Sequence, residues 1–435
     1  MKTARQVSFE ILNRIFKDNS YSNIVLDSYL EKLDVNATDR AFVSAIVYGV
    51  AERVITLDFE LSCYLKQPLR KLKPQVLTIL RIGAYQILYM DKVPASAAIN
   101  ECVKLTKNNG LSFASGLVNA VLRKISSNGI TETDDLTVRY SMPKWLCDLW
   151  IENYGRDNAI ALLEATFGAV ETNLKVNTLR ITPDKLIELL HVDGFEAVKS
   201  DLCENSLIVK GHGPLHKSDS YQKGLFHVQD NASQLCCKAL EVCEGDTVLD
   251  ICAAPGGKSF TLAEQMNNTG SLISMDVYTH RLDLIKNGAD RLGITNLETK
   301  VNDGTVFNPD LPQADKILCD VPCAGLGVIR KKPEIRYKDP TEVDKLPDLQ
   351  YSILCISAEY LKEDGIIIYS TCSLNKTENE DVVNKFLSEH PGFESFKVLP
   401  ELRRYGEDTD YITLMPHLHN CDGFFIAGIR KIKEV

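Results

Sequence analysis

Five short apolar runs in the second half of the chain each lead into residues that could take part in chemistry. TVLDI is followed by CAAPGGK at 252–258, and SLISM is followed by Asp276. ETKV leads to Asp303, KILC to Asp320, and GIIIYS to Cys372. Open parallel sheets bind ligands at the carboxyl ends of their strands. Five such groups in succession therefore predict one functional edge of a sheet.

Two cysteines, Cys323 and Cys372, fall at the ends of adjacent predicted strands. Either one alone would be interpreted as a buried thiol. Beside Asp320 and the glycine loop, the pair favours nucleophilic catalysis, because a thiolate is intrinsically reactive at neutral pH. A thiolate that adds to C6 of cytosine makes C5 able to attack an activated methyl group. Asp320 could hydrogen-bond N3 and N4 of the base and offset the developing charge.

The loop with Gly256 and Gly257 permits a tight turn at a helix N-terminus. It matches neither the dinucleotide nor the phosphate-loop spacing, so a ligand without phosphates fits better. We expect Asp276 to accept from ribose hydroxyls and Asp303 from the exocyclic amine of adenine. Their ordinary alternatives are a helix cap and a turn residue. Together these residues indicate adenosine that bears a methionine side chain.

The elements that must position these residues alternate between strand and helix from about residue 224 onwards. This alternation predicts a parallel sheet that is covered on both faces. The final stretch, YITLMPHLHNCDGFFIAGIRK, could add a closing antiparallel pair. Upstream, residues 129–223 begin with a polar linker and a helix and continue in a β-α-β-β pattern, which predicts a small α+β domain.

Residues 1–128 show apolar positions at helical spacing throughout, which predicts an all-α bundle. Residues 1–130 hold 17 Lys+Arg and 11 Asp+Glu, a net charge of +6. The rest of the chain therefore carries −16, which gives the total of −10. A basic block on an acidic enzyme indicates a module that binds polyanions. The basic segment Lys66–Lys73 is equally consistent with RNA contact and with a solvated loop.

The composition is 44% hydrophobic and 25% charged over 435 residues, which is typical of a globular protein. The chain has no long apolar run and its first residues do not resemble a signal peptide, so we expect a cytoplasmic protein without membrane contact. The 13 cysteines include no C-x-x-C pair and no zinc-type spacing, so no metal is expected.

The segments DICAAPGGKS, CDVPCAGLGVIRKKPEIR and YSTCSLNKTENEDVV resemble motifs I, IV and VI of the RNA cytosine-C5 methyltransferases. The resemblance implies that Cys372 is the nucleophile, that Cys323 assists product release and that S-adenosylmethionine is the cofactor. It implies the following cofactor-contacting residues: Cys252, Ala253, Ala254, Pro255, Gly256, Gly257, Lys258, Asp276, Asp303 and Asp320.

PASAAINECVKLTK and SGLVNAVLRKI resemble the NusB-type RNA-binding fold, which identifies the chain with the Sun/RsmB-type 16S ribosomal RNA (cytosine-C5) methyltransferases. That group implies a NusB-like domain (1–128), a ferredoxin- or RRM-like extension (129–223) and a Rossmann-like methyltransferase domain (224–435). It implies a monomer acting on 16S ribosomal RNA. The alternatives are the same chemistry on transfer RNA or DNA, or a non-catalytic RNA-binding or antitermination factor. The basic stretch after Cys323 supplies the predicted RNA contacts: Arg330, Lys331, Lys332 and Arg336.

Overall fold

The computed structural model describes residues 2–18, 22–32, 37–168, 170–211, 214–402 and 409–433. The chain forms two compact units. We call Met1–Gly168 with Ile329–Lys338 the helical unit, and Ala169–Val328 with Asp339–Val435 the sheet unit. In the described part of the chain, no helix is long and apolar enough to cross a membrane. The three predicted domain ranges stay predictions, because the two units are defined by contacts within the chain and do not test the domain boundaries.

The helical unit is built from amphipathic helices whose apolar positions recur every three or four residues. Val76, Ile79, Leu80 and Gly83 illustrate this spacing on one buried helix face. The helices within the described residues are α1 (Ala4–Asp18), α2 (Ser22–Lys32), α3 (Ala37–Glu52), α4 (Val54–Tyr64), α5 (Pro74–Tyr89), α6 (Ala95–Asn108), α7 (Ser115–Asn128), α8 (Leu136–Arg139), α9 (Lys144–Tyr154) and α10 (Arg156–Ala165). The prediction of an all-α N-terminal domain is confirmed.

The segment Ile329–Lys338 packs in the helical unit although it follows Cys323 in the chain. Its residue Arg336 is fully buried. The Arg336 guanidinium donates to the carbonyl oxygens of Glu52 (2.6 Å), Ser141 (3.3 Å) and Pro333 (3.1 Å). Glu52 is the last residue of α3, so its carbonyl has no partner inside that helix. Arg336 therefore caps α3.

Arg336 was predicted to contact RNA, but its guanidinium is buried and bonded to backbone carbonyls, an arrangement that does not favour contact with a phosphate. In the same stretch Lys332 is exposed, while Arg330 and Lys331 are half-buried. RNA contact by these three residues stays a prediction.

The sheet unit contains a small antiparallel sheet in the order β2-β3-β1-β4. Its strands are β1 (Thr172–Val176), β2 (Phe195–Lys199), β3 (Ser206–Gly211) and β4 (Phe226–Val228). Helix α11 (Pro183–Val192) buries Leu186 and Leu190 in the same apolar cluster as Leu174, Val176 and Leu207 of the sheet. The predicted small α+β domain is confirmed.

The larger sheet is mixed, and in the described chain it has eight strands in the order β10-β12-β9-β8-β5-β6-β7, with β11 paired to β12. Its strands are β5 (Thr247–Asp250), β6 (Ser271–Asp276), β7 (Leu297–Val301), β8 (Ala314–Asp320), β9 (Leu361–Thr371), β10 (Phe393–Phe396), β11 (Ile412–Leu414) and β12 (Phe424–Lys431). Strands β5 to β9 run parallel to one another, and β12 is antiparallel to β9, β10 and β11. The antiparallel pairing of the final stretch was predicted from the sequence.

Helices cover the larger sheet, and apolar clusters lie in contact with its strands. Ile317, Leu318 and Cys319 are consecutive and all fully buried, which is the pattern of a central parallel strand. The remaining helices are α12 (Asp219–Gln222), α13 (Asn231–Ala239), α14 (Gly257–Gln265), α15 (Thr279–Leu292), α16 (Pro340–Val343), α17 (Leu346–Glu359), α18 (Glu380–Glu389) and α19 (Pro416–His419). The Rossmann-like fold is confirmed.

A buried ion pair joins the small sheet to helix α14. Lys175 of β1 lies 2.5 Å from the carboxylate of Glu264 on α14, and His227 of β4 packs beside that carboxylate. Burial raises the pKa of Glu264 to about 7 and lowers the pKa of His227 to about 3. Glu264 thus belongs to the packing between the small sheet and helix α14.

Replacement of Arg336 by alanine is expected to destabilise the helical unit. The substitution leaves buried carbonyls without donors and removes side-chain volume, which together cost roughly 2–4 kcal/mol. Chemical denaturation followed by circular dichroism would measure the free energy of unfolding.

Arg70→Ala is the matched control, because Arg70 is exposed in the same unit. We expect a change within about 0.5 kcal/mol for this surface substitution. Equal stabilities of the two variants would contradict the capping role of Arg336.

Candidate active site

The five parallel strands lie in the order β9, β8, β5, β6, β7. Because they run in one direction, their carboxyl ends share one edge of the sheet, where ligands of such sheets bind. The segments after β9 and β8 are neighbours at this edge, and those after β5, β6 and β7 follow in turn. The predicted cysteines, acids and glycine loop therefore lie along the same edge.

The two cysteines face each other across adjacent strand ends. The Sγ atoms of Cys323 and Cys372 are 3.2 Å apart, and both residues are partly buried. The thiol contact with Cys372, ahead of burial, raises the pKa of Cys323 well above its ordinary value. Because the two thiols are in contact, they titrate as a pair.

The loop after Cys323 is tied directly to the backbone of Cys372. The amide of Gly327 donates to the carbonyl oxygen of Cys372 at 2.9 Å, and the amide of Gly423 donates to the carbonyl of Gly327 at 2.9 Å. A Cβ on Gly327 would lie 1.9 Å from the Gly423 oxygen. Only glycine permits this close approach of the two backbones.

Asp320, the last residue of β8, connects the cysteine side of the edge to the glycine loop. Its carboxylate accepts from Lys258 Nζ at 2.8 Å and from Ser370 Oγ at 2.9 Å. Burial acts against the charge on Lys258, but the Asp320 carboxylate outweighs it and raises the pKa of the lysine. Lys258 is therefore a cation that holds Asp320 in place.

The segment 252–258 turns sharply between β5 and α14. Gly256 has a φ of +108°, and a Cβ there would lie 2.7 Å from the Phe260 ring. At Gly257, where α14 begins, a Cβ would meet only Gln229, at 3.8 Å. The first amides of α14 have no partner inside the helix, and the backbone above Gly257 is open to a close approach.

The two acids predicted to bind the nucleoside differ in their surroundings. Asp276 is buried and accepts from Arg281 at 2.8 Å and from the amide of Tyr278 at 3.0 Å. Asp303 is exposed and accepts from the hydroxyl and amide of Thr305, which lowers its pKa. Asp303 is thus a turn residue, which was the alternative to ligand binding considered from the sequence. Each of the two carboxylates retains lone pairs for a ligand.

Sequence reasoning missed Asp250, the last residue of β5. It is buried, its Oδ2 accepts from Ser259 at 2.6 Å, and its Oδ1 has no hydrogen-bond partner among the described residues. Burial raises the pKa of Asp250 to about 7. The buried Nε2 of Gln229, beside Gly257, also lacks a partner in the described part of the protein. An acidic residue that ends an apolar run was the available signal for Asp250.

Glu378 and Gln350, both fully buried, were also missed. Glu378 accepts from the amide of Ala324 at 2.7 Å and from the hydroxyl of Ser373 at 2.6 Å. Gln350 donates to the carbonyl of Pro322 at 2.9 Å. Glu378 lies within the segment YSTCSLNKTENEDVV, but its contact with Ala324 and the contact of Gln350 with Pro322 join residues that are distant in sequence.

The fold and this edge define a Rossmann-like methyltransferase, preceded by a helical domain and a small α+β domain. Family models match the chain as follows: 16S rRNA methyltransferase RsmB/F at residues 237–430, the NusB family at 2–127 and the RsmF/B-like ferredoxin-like domain at 142–216. The chain belongs to the ribosomal RNA small subunit methyltransferase B family. The predicted membership of the RsmB group is confirmed.

Relatives match over nearly the whole length. A probable ribosomal RNA small subunit methyltransferase B from Bacillus subtilis is 35% identical and covers 99% of both chains. The ribosomal RNA small subunit methyltransferase B from Thermus thermophilus is 31% identical over 95% of this chain and 94% of its own. The crystal structure of PH0851 has a TM-score of 0.85 at 26% identity and covers 99% of both chains.

Replacement of Asp250 by asparagine is expected to change how stability depends on pH. With a folded-state pKa of about 7 and an ordinary value of 3.8, the folded protein keeps a proton that the unfolded chain has released. The free energy of unfolding of the wild type therefore falls as pH rises through this window. Asp250→Asn escapes this loss, so its stability relative to wild type improves by roughly 2–3 kcal/mol between about pH 5 and pH 8.

Urea denaturation at both pH values would measure this difference. Asp339→Asn is the control, because Asp339 is exposed and its hydrogen bonds with Thr341 lower its pKa. Its stability relative to wild type should stay constant over the same range. The same constancy in Asp250→Asn would contradict the prediction.

Proposed function

We propose that this protein transfers a methyl group from S-adenosylmethionine to C5 of a cytosine in 16S ribosomal RNA, through a covalent adduct between Cys372 and C6. The observation that carries the proposal is the pair of thiols, whose Sγ atoms lie 3.2 Å apart after the ends of the adjacent strands β8 and β9. Asp320 is the last residue of β8. Family membership supports the methyl transfer, and the names of the relatives support ribosomal RNA as the substrate.

The residues in and around the glycine loop 252–258 fit S-adenosylmethionine. The cofactor carries both donor and acceptor groups and no phosphate. Asp250 Oδ1 is a buried acceptor and Gln229 Nε2 a buried donor, each without a partner in the described chain. The open backbone at Gly257 permits close approach, and Asp276 and Asp303 would hold the nucleoside. When bound, the cofactor supplies the activated methyl group.

In the proposed reaction Cys372 adds to C6, which makes C5 nucleophilic. Asp320 faces the exocyclic amine of the base, and Lys258 together with Ser370 fixes its carboxylate for that contact. After methylation, loss of the C5 proton lets the Cys372–C6 bond break and frees the nucleophile. Cys323, in contact with Cys372, assists this release.

The target cytosine must be unpaired or flipped out, because C6 is inaccessible inside a duplex. Lys332 is exposed and would supply a phosphate contact, with Arg330 and Lys331 beside it in the chain. We propose these three residues, without Arg336, as the RNA contacts of this stretch.

Substitutions of the two cysteines are expected to block different steps of the reaction. Cys372→Ser should lower methyl transfer by roughly a thousandfold or more, since a hydroxyl is scarcely ionised at neutral pH. Cys323→Ala should still form the adduct but release it slowly, so that a covalent protein–RNA complex accumulates. Tritium release from RNA labelled at C5 of cytosine measures turnover, and a denaturing gel measures the complex.

Cys236→Ala is the control, because Cys236 is a buried cysteine of the apolar core. It should form no persistent complex. A complex in Cys372→Ser that equals that of Cys323→Ala would contradict the assignment of the nucleophile.

Bisulfite sequencing of total RNA tests the substrate, because 5-methylcytosine resists conversion. Cells that lack the gene are expected to lose protection at one 16S cytosine, and the wild-type gene but not Cys372→Ala should restore it. Lost protection only in transfer RNA would move the proposal to that substrate. Restoration by Cys372→Ala would favour a non-catalytic binding protein.

A further inference from the structure

One buried carboxylate connects the two cysteine loops. Glu378 is fully buried and lies at the end of a short 3-10 helix that follows Cys372. Its Oε2 accepts from the amide of Ala324 at 2.7 Å, directly after Cys323. Its Oε1 accepts from the hydroxyl of Ser373 at 2.6 Å, directly after Cys372. A buried charge is costly unless donors satisfy it, and both cysteine loops supply them here.

Gln350 of α17 completes the support on the Cys323 side. Its Nε2 donates to Glu378 at 3.0 Å and to the carbonyl oxygen of Pro322 at 2.9 Å. The carbonyl before Cys323 and the amide after it are thus both held by this buried pair. Because the pair binds backbone on either side of the cysteine, it fixes where the Cys323 thiol points.

The Cys372 side has a second support that does not involve the Glu378 carboxylate. Thr371 Oγ1 donates to Asn379 Oδ1 at 2.6 Å, and Asn379 Nδ2 donates to the carbonyl of Ser373 at 2.9 Å. Loss of the carboxylate would therefore loosen Cys323 more than Cys372. The negative charge of Glu378 also contributes, after the thiol contact and burial, to the raised pKa of Cys323.

We propose that Glu378 is a positioning residue that holds the Cys323 thiol against Cys372 and thereby sets the rate of product release. This inference rests on the proposed function, in which Cys323 assists release. It assigns to Glu378 no contact with the RNA or the cofactor. Its effect should fall on release and leave addition of Cys372 to the base nearly intact.

The first test is Glu378→Gln, which keeps the shape of the side chain and removes its charge. Loss of hydrogen bonds to a charged acceptor should slow adduct release about tenfold or more. Formation of the adduct should change by less than about threefold, because the Asn379 support remains. Single-turnover experiments with C5-tritiated RNA would give both rates, and the trapped fraction at steady state should rise.

Glu264→Gln is the matched control, since Glu264 is also a buried glutamate of the sheet unit but pairs with Lys175. It should leave the ratio of formation to release unchanged. If Glu378→Gln does not fold, Gln350→Met removes both donations of that amide while retaining the carboxylate. The same slow release is expected, with a smaller change.

A second measurement does not depend on methylation. Added diamide oxidises two neighbouring thiols to a disulfide and is itself reduced to the hydrazine, taking up the two protons and two electrons. Mass spectrometry of the linked Cys323 and Cys372 peptides would follow this reaction. The wild type should crosslink quickly, and Glu378→Gln should do so about tenfold more slowly because the thiols no longer stay in contact.

Unchanged crosslinking and release in Glu378→Gln would overturn the positioning role. Equal losses of formation and release, matched in Glu264→Gln, would show a general effect on folding and overturn it as well. If the wild type crosslinks but forms no adduct with any RNA, the proposed function fails. Slower crosslinking in the variant would still support the positioning of Cys323 in that case.

Discussion

The parallel register of β8 with β9 is the constraint on which the candidate site depends. It places Asp320 opposite Ser370, and the amide of Val321 donates to the Ser370 carbonyl at 3.1 Å as the last rung. Beyond that rung the strands become loops, and each loop carries its cysteine within three residues. A slip of one residue would turn Asp320 to the other face of the sheet and separate the thiols. The Gly327–Cys372 bond joins the loops again.

Three neighbouring strand ends carry carboxyl groups, and each is stabilised in a different way. Asp320 on β8 is paired with Lys258, and Asp276 on β6 with Arg281. Asp250, on β5 between them, has no cation partner among the described contacts, and burial raises its pKa to about 7. Like charges at adjacent strand ends would repel one another, and the two cations reduce that repulsion. Lys258 also joins the glycine loop to Asp320.

Much of this arrangement could be predicted from the sequence because strand ends are local features. Apolar runs marked the five parallel strands, and the rule for parallel sheets then placed Cys323 and Cys372 together. Glu378 could not be found in this way, since its partners Ala324 and Gln350 are remote in the chain. Asp250 was hidden for another reason. An acid at a strand end is ordinary, and only its burial with an unpartnered oxygen distinguishes it.

The basic stretch after Cys323 shows why charge alone does not define an RNA contact. Lys332 and Arg336 are four residues apart, yet Lys332 is exposed and Arg336 fully buried. Arg336 lies in the short 3-10 helix Pro333–Tyr337, which begins directly after Lys332, and its side chain is one of the buried ones of that helix. A guanidinium offers five donors in a planar fork, so it can satisfy several backbone carbonyls at once, which an ammonium group does less well. Whether an arginine meets a phosphate or a helix C-terminus is thus decided by packing around it, and composition records only its charge.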